Sequence, residues 1–422
     1  MERWQQYYQR LAATLIPRRY LPRAPDRSLG LAISGVRRCG KTTLAIQLSQ
    51  AFDSDRILYY NFEDPLFLDA TNPSGIEQLF TTFEQQHGAP PELTILDEVQ
   101  NVEGWERWVR SSIDQQRTRI IVTGSNAKLL SAELSTSLTG RSLEHTAWPL
   151  SISEVQDFFK SKFSSPHSAP PNLEYCLQQL ITWGGLPAIV LMQDSTAREQ
   201  LLRQYLSDMI HRDIINRRQI RNKRALDQIL SYYQTNISSL HSYSAIKNAF
   251  QIPIDTVAEY TAALNEAFLI FEVARYHPNL KTQTRDPRKV YAIDMGLRQV
   301  SARSAEIDIG KRLENIIYLE LRRQSREIFY YQDMGEVDFI LTEEYQPIAA
   351  IQVCAYGMDI QKTREREINA LVACMKELEL NEGTIITMDR DEIIELDGMR
   401  ITSVSASKWL SYSGLQKSRA IK

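Results

Sequence analysis

Apolar and polar positions along the chain fall into three stretches with different spacing. Through the first 150 residues, short aliphatic runs at 31–34, 57–61, 93–96, 120–123 and 143–147 predict strands. Between the first two, Leu44, Leu48 and Phe52 recur four apart, the spacing of one helical face, so 42–52 reads as a helix. Strands alternating with helices predict a parallel sheet with helices packed on it. The stretch 161–172 holds four Ser and three Pro, too broken for a helix or a central strand, and reads as a linker.

From 173 to about 300 the pattern is mainly helical. Its end predicts a winged helix-turn-helix: helices at 242–250 and 255–268, then wing strands at 269–276 and 289–293. Beyond 301 the order changes again. A helix at 311–324 precedes strands at 327–331, 337–341 and 348–353, a helix at 364–379 and a strand at 383–388, a third and smaller α/β unit. The expected division is therefore 1–160, a linker at 161–172, a helical and winged-helix region at 173–300, and a final α/β domain at 301–422.

Composition bounds this picture without sharpening it. The 422 residues carry 49 Lys+Arg against 52 Asp+Glu, so overall charge makes no case for a nucleic-acid partner. No apolar run reaches the roughly 18–20 residues of a spanning helix, and the first residues lack a secretory pattern. Four scattered cysteines (Cys39, Cys176, Cys354, Cys374) form no CxxC pair, which fits reduced thiols and a cytoplasmic location.

The chemistry begins at Gly35-Val36-Arg37-Arg38-Cys39-Gly40-Lys41-Thr42, which matches GxxxxGK[ST] between a predicted strand and a predicted helix. Loop amides from Gly35 to Thr43 would wrap a phosphate, and the helix N-terminus adds positive partial charge. Lys41 would reach the β- and γ-phosphates, and the Thr42 hydroxyl would bind Mg²⁺. Fifty-six residues beyond Lys41, an aliphatic run ends in Asp97-Glu98. Asp97 would hold the Mg²⁺ shell and Glu98 would orient the attacking water. Gly124-Ser125-Asn126 ends another strand, where Ser125 either meets the γ-phosphate or caps the next helix. Arg141, just before the fifth strand, is either a γ-phosphate arginine or a surface ion pair.

Together these segments resemble the prokaryotic AAA-like ATPases of the ASCE P-loop division that carry a C-terminal DUF4143-type region. The resemblance rests on GVRRCGKTT, YYNFEDP (59–65), LDEVQNVEGWE (96–106), TGSNAKLLS (123–131), LTGR (138–141) and PLSISEV (149–155). It continues through GGLPA (184–188), residues 211–214, KVYAIDMGL (289–297), LENIIYLEL (313–321) and GEVDFIL (335–341), spanning about residues 30–390. It implies strand order 5-1-4-3-2, ATP as the nucleotide, and a γ-phosphate role for Ser125 or Asn126. It also implies that Arg141 acts on its own chain's nucleotide or on that of a neighbouring copy, so a homo-oligomer stays open.

The last domain also resembles a restriction-endonuclease-like fold. Glu314 and Asp338 stand where such nucleases hold acids, but Gln352-Val353-Cys354 stands where Glu-x-Lys is wanted. A thiol cannot replace an ammonium that polarises water, so a nuclease-like scaffold without its active centre is expected. Two basic segments remain. Residues 211–224 carry six basic side chains against Asp213, and 281–289 carries Lys281, Arg285, Arg288 and Lys289 against Asp286. The second helix of the expected winged domain is acidic (Asp255, Glu259, Glu266), which argues against base reading by it. DNA contact without strong sequence preference, through either basic segment, is one expectation; a solvated or protein-docking face is the other.

Overall fold

The computed structural model describes residues 2–64, 72–125, 140–163, 171–303 and 308–412. Asn126, the Leu138-Thr139 pair and most of the expected linker lie outside these residues. The chain divides into two compact units, Met1–Pro149 with Glu266–Phe268, and Leu150–Asn265 with Leu269–Lys422.

The first unit is built on five parallel strands: β1 (Gly30–Ser34), β2 (Ile57–Asn61), β3 (Leu93–Asp97), β4 (Arg119–Gly124) and β5 (Ser142–Thr146). Their order is β2-β3-β4-β1-β5, the expected 5-1-4-3-2 arrangement. A parallel sheet is covered on both faces, so its central strands read as continuous apolar runs. In β3 all five residues are buried, whereas the edge strand β5 is partly exposed and polar.

Four helices matter for the site: α1 (Glu2–Ala13), α2 (Lys41–Ser49), α3 (Pro73–His87) and α4 (Trp105–Asp114). Phe80, Phe83, Trp105 and Trp108 from α3 and α4 pack with Leu58, Tyr60, Leu96 and Val122 of the sheet. Each such side chain contributes about 1.5–3 kcal/mol on burial.

The second unit opens with helix Ile152–Phe163 and continues through helices Leu173–Trp183, Ser195–Asp208 and Lys223–Thr235. Between the last two, Met209–Ile215 winds as a π-helix, which sequence periodicity did not signal. Asp294 ties this region together. Its buried carboxylate accepts from the backbone N–H groups of Gly185, Gly296 and Leu297. Gly184 (φ 75°) lies so close that an added Cβ would meet Asp294 Oδ1 at 2.2 Å. The GGLPA and DMGL segments are therefore two sides of one packed junction.

Two successive helices in the expected order, Tyr243–Phe250 and Ile254–Glu266, lie between strands of a three-stranded antiparallel sheet. Its strands are β6 (Leu240–His241), β7 (Ile270–Val273) and β8 (Arg288–Ala292), in the order β6-β8-β7. The expected basic hairpin tip is not one. Leu280–Arg285 is helical, and Lys289 lies inside β8 with 1% exposure.

The C-terminal sheet has six strands: β9 (Glu327–Gln332), β10 (Glu336–Glu343), β11 (Gln346–Val353), β12 (Glu382–Thr387), β13 (Glu392–Leu396) and β14 (Met399–Ser405). It is mixed, antiparallel from β9 to β11 and at β13–β14, and parallel across β11-β12-β14. The architecture is α/β, with a parallel sheet first, a helical middle and a mixed sheet last.

Candidate nucleotide site

The loop from β1 to α2 is held by close backbone packing. Gly35 adopts φ 142°, and a Cβ there would meet the carbonyl oxygen of Ala147 at 2.3 Å, so no larger residue fits. Cys39 donates its thiol to that same carbonyl at 3.2 Å, and burial pushes the thiol up, so it packs rather than reacts. Arg18, nearly buried, donates to Cys39 O at 2.9 Å and to Trp148 O at 2.8 Å. It clamps the loop to the segment after β5. Val36 is buried, Arg38 is exposed, and Arg37 pairs with Glu63 at 2.5 Å. Gly40 (φ 99°) caps α2 without a side-chain hydrogen bond, and the first turn of the helix holds Lys41, Thr42 and Thr43.

Four of the expected site residues converge at the carboxyl edge of the sheet. The buried Lys41 ammonium donates to Gly35 O at 3.2 Å and to Val36 O at 3.4 Å, and lies 3.7 Å from Glu98 Oε1. Thr42 donates to Asp97 Oδ2 at 2.8 Å. Glu98 has φ 54°, its N–H donates to Thr123 Oγ1 at 3.0 Å, and its carboxylate accepts from Gln100 at 2.6 Å. Ser125 is buried one residue past Gly124, which pairs with Ser34 at the start of the loop.

The two neighbouring carboxylates differ in charge preference. Burial, then the adjacent Glu98, pushes Asp97 up to about 6. Burial acts on Glu98 too, but Lys41 and Arg37 outweigh it and hold Glu98 below the usual range. Two acids pushed apart in this way suit different roles. Thr42 and Asp97 offer hard oxygen donors that fit Mg²⁺, which takes few protein ligands and relies on substrate phosphates for others. Among the described residues no group of three or more His, Cys, Asp or Glu could hold a metal by itself.

Arg141 is not brought to this edge. It precedes β5, whose Ser142 pairs with Gly30 at the amino end of β1, and it donates to Asp114 Oδ1 at 2.6 Å. A five-residue strand, about 16 Å long, separates it from the loop of its own chain. Action on its own chain's nucleotide is thereby corrected to an ion pair at the opposite edge.

Sequence reading also missed residues. Arg18 lies outside every motif, and its guanidinium reaches the backbone carbonyls of Cys39 and Trp148, which carry no sequence signature. Thr123, Tyr59 and Asn61 all donate to Asp97. Their signal was polar residues inside strands whose other positions are apolar.

In the C-terminal domain, Glu314 and Asp338 do come together, with an ammonium between them. Lys289 Nζ lies 2.7 Å from Asp338 Oδ1, 3.2 Å from Glu314 Oε1 and 2.7 Å from Glu336 Oε1. The ammonium absent at Cys354 thus comes from β8. Gln352 accepts from Asp338 N–H and donates to Glu367 at 2.6 Å, while the Cys354 thiol donates to Tyr356 O. Burial, then Asp338, raises Glu314 to about 8 against the pull of Lys289.

Residues 28–156 match the AAA domain, and residues 175–306 match a domain of unknown function, DUF8612, in the region where a DUF4143-type segment was expected. The chain is 32% identical over 363 residues to the uncharacterized protein MJ1544 of Methanocaldococcus jannaschii, covering 83% of this chain and 79% of that protein. It is 31% identical over 320 residues to an uncharacterized protein of Haemophilus influenzae, covering 73% and 78%. Among solved structures it is similar to AMPPCP-bound DnaA from Aquifex aeolicus, with TM-score 0.30, 13% identity, and coverage of 62% and 86%. Aeropyrum pernix ORC1 in complex with DNA gives TM-score 0.28, 12% identity, and coverage of 70% and 91%. Both structural likenesses are weak. The chain belongs to the family of MJ1544 and its Haemophilus influenzae relative, a P-loop family whose N-terminal region in this chain matches the AAA domain.

Proposed function

We propose that the protein is a Mg²⁺-dependent ATPase whose turnover switches the arrangement of its C-terminal domains. The observation that carries this reading is the convergence of Lys41, Thr42, Asp97 and Glu98 at one sheet edge, with Lys41 3.7 Å from Glu98. Bound Mg²⁺ supplies charge neutralisation at the β- and γ-phosphates. The Gly35–Thr43 loop amides cradle the phosphates, and Lys41 pairs with their oxygens. Thr42 and Asp97 hold the metal, and Ser125 stands by the γ-phosphate. Glu98, kept ionised by Lys41 and Arg37, orients a water toward the γ-phosphorus and draws its proton as the bond to ADP breaks. ATP turnover with and without Mg²⁺ tests the reading.

The nuclease-like domain acts as a scaffold in this reading. Lys289 fills the space among its acids, and Gln352 is committed to Glu367. Four buried free cysteines accord with a cytoplasmic location, and no described helix is long and apolar enough to cross a membrane.

A polyanionic partner, such as DNA, is the second reading, and 211–224 is the segment that favours it. Arg221, Lys223 and Arg224 are exposed with no acidic partner among the described residues, while Asp213 is buried. A cavity of about 310 Å³ adjoins them, lined by Arg203, His211 and Lys223 together with Asp227 and apolar side chains such as Leu206 and Ile210. Replacing Arg221, Lys223 and Arg224 by Ala is expected to weaken duplex DNA binding and lower its salt slope by about 2–3. An unchanged slope removes this segment from the interface.

A further inference from the structure

We infer that Tyr59 and Asn61 of β2 are positioning residues for Asp97, a role that rests on the ATPase reading. A strand buried in a parallel sheet is expected to be apolar, and β2 reads Ile57-Leu58-Tyr59-Tyr60-Asn61. In the parallel register Asn61 stands directly opposite Asp97, and Tyr59, two residues earlier, lies on the same face. Both side chains end on a single oxygen. Tyr59 donates its hydroxyl to Asp97 Oδ2 at 2.9 Å, and Asn61 donates its amide to the same atom at 3.0 Å.

The rest of the carboxylate is held from β4 and from the first turn of α2. Thr123 of β4 donates to Oδ1 at 2.5 Å, and Thr42 donates to both oxygens at 2.8 and 3.1 Å. Of these, only Thr42 belongs to the phosphate loop. With Tyr59 and Asn61 on one side and Thr123 on the other, the carboxylate cannot swing away from Thr42.

A buried tyrosine hydroxyl needs some acceptor, so one bond alone would be ordinary packing. Two further contacts argue for more. Asn61 Oδ1 accepts from the Glu63 N–H at 2.8 Å, which fixes the amide with its NH₂ toward Asp97. Glu63 in turn pairs with Arg37 of the phosphate loop, so the end of β2 is tied to the loop at the side chain that helps keep Glu98 ionised. The Tyr59 ring is meanwhile gripped by α1. It stacks on Tyr7 with ring centroids 6.1 Å apart and meets Trp4 edge-on at 6.1 Å. Ring and hydroxyl are both fixed, and the YYNFEDP segment acquires a chemical reason.

The consequence falls on metal handling rather than on nucleotide recognition. Neither side chain belongs to the loop that cradles phosphate, but both set where Asp97 points. Groups that orient a metal-binding carboxylate are worth about 10–100-fold in metal affinity.

Wild type, Tyr59→Phe and Asn61→Ala test this, because Tyr59→Phe keeps the ring packing and removes one donor. Two quantities are read: Mn²⁺ affinity of the ADP complex by electron paramagnetic resonance, and the Mg²⁺ concentration for half-maximal turnover at saturating ATP. Each variant is expected to weaken both by about tenfold, with the KM for ATP at saturating Mg²⁺ and the unfolding temperature near wild type. Wild-type metal dependence in both variants overturns the inference while leaving the ATPase reading intact. A wild type that neither turns over ATP nor binds Mn²⁺ with ADP overturns that reading and this inference with it.

Discussion

The Lys289 ammonium lies 2.7 Å from the Asp338 carboxylate, within the C-terminal acidic centre and shielded from solvent. Burial alone would lower the ammonium's proton affinity, but Asp338, Glu314 and Glu336 hold it well above its ordinary value. Removing one partner of such a group strands the others in a poor solvent. Lys289→Ala is therefore expected to destabilise the second unit by about 3–5 kcal/mol. Urea denaturation checks this; a loss below about 1 kcal/mol would mean that water already solvates the acids.

A second buried group makes stability depend on pH. His241 is buried beside Glu272, with 3.3 Å between Nε2 and Oε1, and Tyr243, Asn265 and Arg288 also face that carboxylate. Burial, then Arg288, lowers His241 to about 4. The folded state thus resists a proton that the unfolded chain accepts near the ordinary 6.5. The contribution of His241 to stability is full above about 6.5 and falls as pH drops toward 4, by at most about 3 kcal/mol. The raised Asp97 and Glu314 carboxyls act in the opposite direction, so the slope is read from the difference in unfolding free energy between wild type and His241→Phe from pH 7 to 4. Parallel curves would rule His241 out as the source.

Arg141 offers a prediction of the opposite kind. Its partner is Asp114, at the edge of the sheet away from the phosphate loop. Arg141→Ala is expected to leave turnover within about twofold at protein concentrations where single chains dominate. An arginine on the γ-phosphate is worth about 1,000-fold or more, so a loss of that size that sets in only as protein concentration rises would assign Arg141 to a neighbouring copy's nucleotide.

What sequence reveals here depends on whether a feature is local. The phosphate loop and Asp97-Glu98 need their residues side by side, so both are legible, as is the strand order once the family resemblance is noted. Tyr59 and Asn61 sit 36 or more positions from Asp97, and only the β2–β3 register makes them neighbours. Lys289 shows the converse. Counted by charge it joins a basic segment, yet β8 turns it inward to carboxylates 25 and 49 positions away. Charge is a property of a residue, while exposure is a property of the fold. Asp294 is intermediate: both of its motifs were visible, but not that they meet.

The most direct measurement is steady-state ATP hydrolysis by wild type, Lys41→Ala and Glu98→Gln, with nucleotide binding followed in parallel. Wild type should turn over ATP only when Mg²⁺ is present. Glu98→Gln should bind ATP but lose turnover by about 100-fold or more, and Lys41→Ala should lose ATP binding itself. Wild-type turnover no faster than that of Glu98→Gln would contradict the account and leave a nucleotide-gated binding module in its place.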